Sequence, residues 1–215
     1  MAFNIENYRL IKEFIENNTQ NKVKIVAISK NHPVEKILDA AKKGITVFGE
    51  NRVQEAKTKF EVVKKNFPNI ELHLTGPLQT NKIKDALKIF DVFHTLDREK
   101  LANEFYKLRK QALNKKFFIQ INTGKETSKN GVLPELADKF ISYCKDELNL
   151  NIIGLMCIPP ISDSPKEHFL YLKEIANKNK IQNLSMGMSS DFKDAISLGA
   201  THIRIGTFLF GGRDG

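Results

Sequence analysis

The chain has no tryptophan, and only two cysteines and seven prolines among its 215 residues. Cys144 and Cys157 form neither a CxxC pair nor any metal-type spacing, so nothing points to a disulfide framework or a cysteine-held metal. A reduced, cytoplasmic setting is the simplest expectation. No apolar run approaches the roughly 20 residues needed to cross a bilayer, so no membrane partner is expected. The N-terminus, "MAFNIENYRL", lacks the basic-then-apolar order of a secretory signal. Acidic residues are outnumbered, 25 against 34 Lys and Arg, for a net charge of +9 that permits a nucleic-acid partner. The lysines, however, are scattered as KK and KxK pairs on helix faces. No basic run is interleaved with aromatics as in RNA-binding modules, so solvated helix faces are the better account and no nucleic-acid partner is expected.

What the sequence does have is alternation. Residues 4–18 place Ile5, Tyr8, Ile11, Phe14 and Ile15 on one face of an amphipathic helix. The Val/Ile-rich run "VKIVAIS" then reads as a strand, and "PVEKILDAAKKG" as a helix opened by Pro33 and closed by Gly44. The pattern repeats with strands at "TVFGEN", "IELHLTG", "DVFHTL", "FFIQIN", "IIGLMCI", "LSMGM" and "HIRIG", with helices between them. Asp97 is the expected cap of a long helix running to about Leu113. Strands separated by helices run parallel, and eight such units close a (β/α)8 barrel, here a single domain over residues 1–215 with an additional N-terminal helix. A doubly wound open sheet is the alternative, and the count of eight favours the barrel. No long helix follows the last strand, so the first helix is expected to take the vacant place in the outer ring.

Barrels carry their chemistry at the C-terminal ends of the strands. Those tips hold Lys30, Glu50 and Asn51, Thr75 and Gly76, His94, Asn122, Met156, Met186 to Ser190, and Arg204, Gly206 and Thr207. "MGMSS" and "RIGT" place glycine beside hydroxyls after strands seven and eight, where barrels commonly bind phosphate. Ser190 alone would read as a plain helix N-cap. Arg204 and Gly206 share a face, and Arg204 reads either as a salt-bridge partner or as a donor to a ligand. Lys30 ends an apolar strand. An amine confined near a second cation loses its proton more readily and becomes a nucleophile. Lysine and phosphate cradle together suggest an aldehyde cofactor held as a Schiff base, of which pyridoxal 5′-phosphate is the familiar case. On spacing alone, a salt bridge at the strand end competes evenly.

The segments "AISKNHP", "FGENRVQEA", "HLTGPLQTNKIK", "GLMCIPP", "LSMGMSSDFKDAI" and "GATHIRIGTFLFGGR" occur in family order from about Lys24 to Arg213, and in them the chain resembles the pyridoxal phosphate homeostasis proteins, the YggS/PROSC family. The resemblance implies a barrel like the N-terminal domain of alanine racemase. It implies that Lys30 carries pyridoxal 5′-phosphate covalently, that Arg204 partners the ring nitrogen, and that Gly206, Thr207, Ser189 and Ser190 contact the phosphate. Asn51 is expected near the ring. It further implies a protein that holds and releases the cofactor, with apo forms of pyridoxal-phosphate enzymes as possible recipients. A slow racemase or lyase acting on amino acids is the alternative.

An arginine does not give up its proton, so a ring nitrogen facing Arg204 stays unprotonated and stabilises a carbanion poorly. Two-base racemases also use a second domain and a tyrosine from a partner subunit. Here Tyr8, Tyr106, Tyr143 and Tyr171 all fall in expected helices and the sequence ends at Gly215, so a carrier is expected rather than a catalyst, and a monomer by default. His73 and His94 are both candidate proton shuttles at the strand tips; His73, mid-strand, reads better as a packed core histidine, and the role of His94 is left undecided. Lys82 and Lys129 are extra lysines near the mouth that could accept the aldehyde in transfer. "INTGKETSKNG" carries Lys125 where the family commonly has an acid.

Overall fold

The run "KIVAI" forms β1 (Lys24–Ile28). Ile25 and Ala27 pack outward into the main apolar core, whereas Ile28 lines a cleft at the barrel mouth. Alternation of this kind buries both faces of a strand only if helices cover one side and other strands the other. The computed structural model, described for residues 2–212, supplies both. β2 (Val47–Glu50), β3 (Glu71–Leu74), β4 (Val92–Leu96), β5 (Lys116–Gln120), β6 (Ile152–Met156), β7 (Asn183–Ser185) and β8 (His202–Ile205) follow β1 in a closed parallel barrel, with β8 pairing back onto β1. This is a (β/α)8 barrel, and the open sheet is set aside by the closing β1–β8 ladder. Arg213, with which the last quoted motif ends, lies outside the described residues.

α2 (Val34–Lys42), α3 (Val53–Asn66), α4 (Ile83–Ile89), α5 (Glu99–Lys107), α6 (Arg109–Ala112), α7 (Ala137–Ser142), α8 (Pro165–Lys178), α9 (Phe192–Ser197) and α10 (Thr207–Phe210) complete the ring behind α1 (Ile5–Asn18). α1 is capped by the Asn4 side chain, which accepts from the Asn7 amide. It packs on α9 and α10, as its expected place in the ring requires, and it is tied there by Asn7 Nδ2 donating to Phe208 O (2.6 Å) and the Asn4 amide donating to Leu209 O (2.9 Å). Tyr8, Lys12, Ile15 and Glu16 of α1 also line a cavity of about 610 Å³ under the N-terminal end of the barrel.

Two expectations need correction. Asp97 caps no helix: the N-cap of α5 is Arg98, and the Asp97 carboxylate instead pairs with the Arg98 guanidinium. The long helix also stops at Lys107 and restarts as α6, with Leu108 between them in neither. The outer face of β4 and β5 is aromatic. Phe93 and Phe117 stack at 5.4 Å, and Phe105 meets both edge-on at 5.1 and 4.8 Å. Each such buried ring contributes about 1.5–3 kcal/mol, which anchors the short α5–α6 segment without a longer helix.

Candidate functional site

Lys30 sits two residues past β1 in a turn whose next residue, Asn31, takes a left-handed φ of 61°. A buried charge cluster pins this turn from below. Lys59 of α3 donates to the carbonyls of Ser29 (2.9 Å) and His32 (3.1 Å), and pairs with Glu50 and Glu55, each at 2.8 Å. Glu55 accepts from the Asn31 amide and Ser29 Oγ donates to Glu50, both at 2.6 Å. Burial pushes the Glu50 carboxyl above its usual range, against the pull of Lys59. Glu55 is held below its usual range by Lys59 and the Asn31 amide, which outweigh its own desolvation. The backbone on both sides of Lys30 is therefore fixed by side chains that do not enter the cleft.

Lys30 opens onto a cleft of about 330 Å³ at the C-terminal end of the barrel. Asn51, Ser189, Ser190, Arg204, Gly206 and Thr207 line the same cleft, so the structure brings together every residue singled out from the strand tips as a cofactor contact. Asn51 is held by Thr75, whose Oγ1 donates to Asn51 Oδ1 at 2.9 Å. Gly76 allows this close approach, because a Cβ there would lie 2.4 Å from Asn51 O. Ser190 is not the cap of α9; that position is Asp191, whose carboxylate accepts from the Met188 amide. The loops after β7 and β8 touch where Ser189 Oγ accepts from the Phe208 amide at 3.5 Å. Arg204 is buried in β8 with Nη1 donating to Ser185 Oγ (2.7 Å) and Nη2 to Cys157 O (2.9 Å). Burial draws its pKa down, opposed by Cys157 and the Asp191 carboxylate. It lines the cleft wall, and among the described residues no carboxylate forms a salt bridge with it.

Other candidates fall elsewhere. His94, placed among the strand tips with its role as a proton shuttle left undecided, is fully buried inside the barrel against His73 and Ser185. The reason is its place in the strand: β4 runs on to Leu96, so His94 is a mid-strand residue pointing into the barrel and not a strand tip. His73 is buried as expected. Lys82 and Lys129 are exposed and line a separate cleft of about 920 Å³ that shares Asn51 with the first. Lys125 faces Glu135 at 3.3 Å. Cys144 and Cys157 are buried free thiols, both pushed up to about 12 by burial, and are unreactive in that state. Among the described residues no helix is long and apolar enough to cross a membrane, and no His/Cys/Asp/Glu group is arranged for a metal. Sequence reasoning missed Lys59 and Ile158. The first looks like an ordinary helix-surface lysine, and the second follows β6 as a half-exposed apolar wall of the cleft.

Residues 5–214 match the family model described as alanine racemase, N-terminal domain. The pyridoxal phosphate homeostasis protein of Haemophilus influenzae is 39% identical over 227 residues, covering 97% of this chain and 95% of its own length. The chain belongs to the pyridoxal phosphate homeostasis protein family. The homeostasis protein of Aquifex aeolicus is likewise 39% identical, over 90% of this chain and 89% of its own. Among solved structures, PipY of Synechococcus elongatus PCC7942, solved with pyridoxal phosphate bound, is 32% identical with a TM-score of 0.81 over 95% of this chain and 99% of that one. Without the ligand the same protein superposes with a TM-score of 0.85. Alanine racemase of Clostridium difficile shares the fold, with a TM-score of 0.74 at 16% identity, and this chain spans 58% of its length.

Proposed function

We propose that this homeostasis-family protein binds pyridoxal 5′-phosphate as a Schiff base on Lys30 and serves to hold and release it rather than to catalyse a reaction. The observation that carries the reading is one cleft lined at once by an amine, a buried guanidinium and the hydroxyls of two touching loops. That donor set fits a phosphorylated aromatic aldehyde. Lys30 takes the aldehyde, Arg204 faces the ring nitrogen with its charge retained, and Ser189, Ser190, Gly206 and Thr207 take the phosphate. Bound there, the group supplies an electrophilic carbon and an electron-accepting ring. The homeostasis naming of relatives at 39% identity and the pyridoxal phosphate in PipY support the choice of ligand. The four tyrosines lie on α1, α5, α8 and the wide helical turn Tyr143–Glu147, none on the cleft wall, and this supports a holder over a two-base racemase. Apo forms of pyridoxal-phosphate enzymes are the proposed recipients, and the protein is proposed to work as a cytoplasmic monomer. The neighbouring cleft with Lys82 and Lys129 is the proposed exit route.

The test is the visible spectrum of the purified protein before and after borohydride, with Lys30→Ala beside it. A yellow protein whose reduced label maps to the peptide containing Lys30 is expected, and a colourless Lys30→Ala. A wild-type protein that remains colourless with added pyridoxal phosphate would sink the reading.

A further inference from the structure

Barrel interiors are usually filled by stacked layers of branched aliphatic side chains. Here the centre holds a line of polar groups. Arg204 Nη1 donates to Ser185 Oγ at 2.7 Å, and the same hydroxyl lies 2.8 Å from His94 Nδ1. His94 Nε2 is 2.7 Å from His73 Nδ1, and His73 Nε2 is 2.8 Å from Glu71 Oε1. Lys24 Nζ completes the line with a 2.6 Å bond to Glu71 Oε1. The line runs from β8 through β7 and β4 to β3. Arg204, Ser185, His94 and His73 are all buried.

The proton positions follow by elimination. An ionised Glu71 only accepts, so His73 Nε2 must donate to it. A neutral His73 then accepts at Nδ1 from His94 Nε2, which leaves His94 Nδ1 to accept the Ser185 hydroxyl hydrogen. Every atom in the line is satisfied by this arrangement, with both imidazoles neutral and every hydrogen pointing from guanidinium to carboxylate. A chain aligned in one direction polarises its members cooperatively. The other charged or titratable groups acting on these rings are Lys24, Asp91 and His202. Burial keeps both imidazoles below their ordinary range, as the neutral arrangement requires.

We propose that Ser185, His94 and His73 form a positioning relay for Arg204, linking its guanidinium through the barrel axis to Glu71 and fixing how it presents to the bound cofactor. None of the three lines the cleft, so they act through Arg204 and not by contact. The inference rests on the reading that the cofactor ring lies against Arg204. Without His94 the Ser185 hydroxyl loses its own acceptor and can rotate, so Nη1 loses a fixed partner and the guanidinium can turn, changing both the ring's surroundings and its retention.

The test has two parts, one of which needs no substitution. In the cofactor-free wild-type protein with ¹⁵N-labelled histidine, both His73 and His94 should show the neutral Nε2–H tautomer by NMR. Adding pyridoxal phosphate should move both signals, while His168, hydrogen-bonded to Asp163 on the outer ring, stays fixed. In the second part, His94→Leu should shift the absorption maximum of the bound cofactor and weaken its retention about tenfold, the scale of one charge-assisted hydrogen bond. His94→Gln, whose amide can accept from Ser185 and donate to His73, should restore both. An Nδ1–H or charged His94, or unmoved imidazole signals in a protein whose spectrum shows bound cofactor, overturns the relay alone. A wild-type protein that takes up no pyridoxal phosphate overturns the proposed function and the relay with it.

Discussion

Lys59 shows how a residue outside the cleft can control one inside it. Its ammonium joins Glu50, Glu55 and two backbone carbonyls flanking Lys30, all within 3.1 Å. Lys59→Met would leave Glu50 buried without its cation, and breaking a buried pair from one side costs about 3–5 kcal/mol. Urea denaturation should show a loss of that order, and borohydride labelling at Lys30 should fall as the turn loosens. An unchanged midpoint would mean that Glu50 is neutral in the native protein. At this scale the sequence was legible where chemistry and strand position coincide, as at Lys30, and opaque where a side chain travels. A lysine in "QEAKTKFE" reads as solvated, and only the packing of α3 on β2 beside α2 turns it inward, toward the turn after β1. His94 was misplaced because periodicity does not say where a strand ends, and β4 runs two residues past it.

At the scale of elements, the barrel and all eight strands were legible from Val/Ile runs separated by helical stretches, while most ends were off by one or two residues and β7, expected to reach Met188, ends three residues earlier at Ser185. The break between α5 and α6 was not legible, because no Gly or Pro marks Leu108. The loop after β7 depends on Gly187, which holds φ 91° and whose Cβ, if present, would lie 2.5 Å from Ala195 Cβ. Gly187→Ala would impose a left-handed backbone penalty of about 1–2 kcal/mol and push the loop off α9. The expected result is weaker retention of pyridoxal phosphate with the Lys30 label still forming, because the loop carries Ser189 and Ser190 while β1 is untouched. Equal retention in a titration followed by absorbance would place the phosphate elsewhere.

For the whole molecule, the polar barrel axis predicts a response to acid. His73, His94 and His202 are buried and their pKa values are lowered by desolvation, His202 from 6.5 to about 3. A histidine with a depressed native pKa binds fewer protons folded than unfolded throughout that interval, so stability falls as pH drops below about 6.5. Glu71, held well below its usual range by His73 and Lys24, adds to the loss once pH passes below its unfolded value of 4.5. The thermal midpoint should therefore decline steadily from about pH 7 to pH 4, and His202→Asn should flatten the upper part of that decline. A midpoint constant over this range would mean that the interior histidines take up protons as readily in the native state as in the unfolded one.

β1 and β8 are neighbours in the barrel although one begins the ring and the other ends it. Lys30 and Arg204 therefore share a wall only after the last strand has docked beside the first. During synthesis on the ribosome, the lysine emerges some 170 residues before its partner, and no partial chain possesses the cleft. A ligand that needs both sides recognises only the shut ring, and its binding free energy adds wholly to keeping the ring shut. Occupancy of this cleft thus reports that the ring has closed through β8.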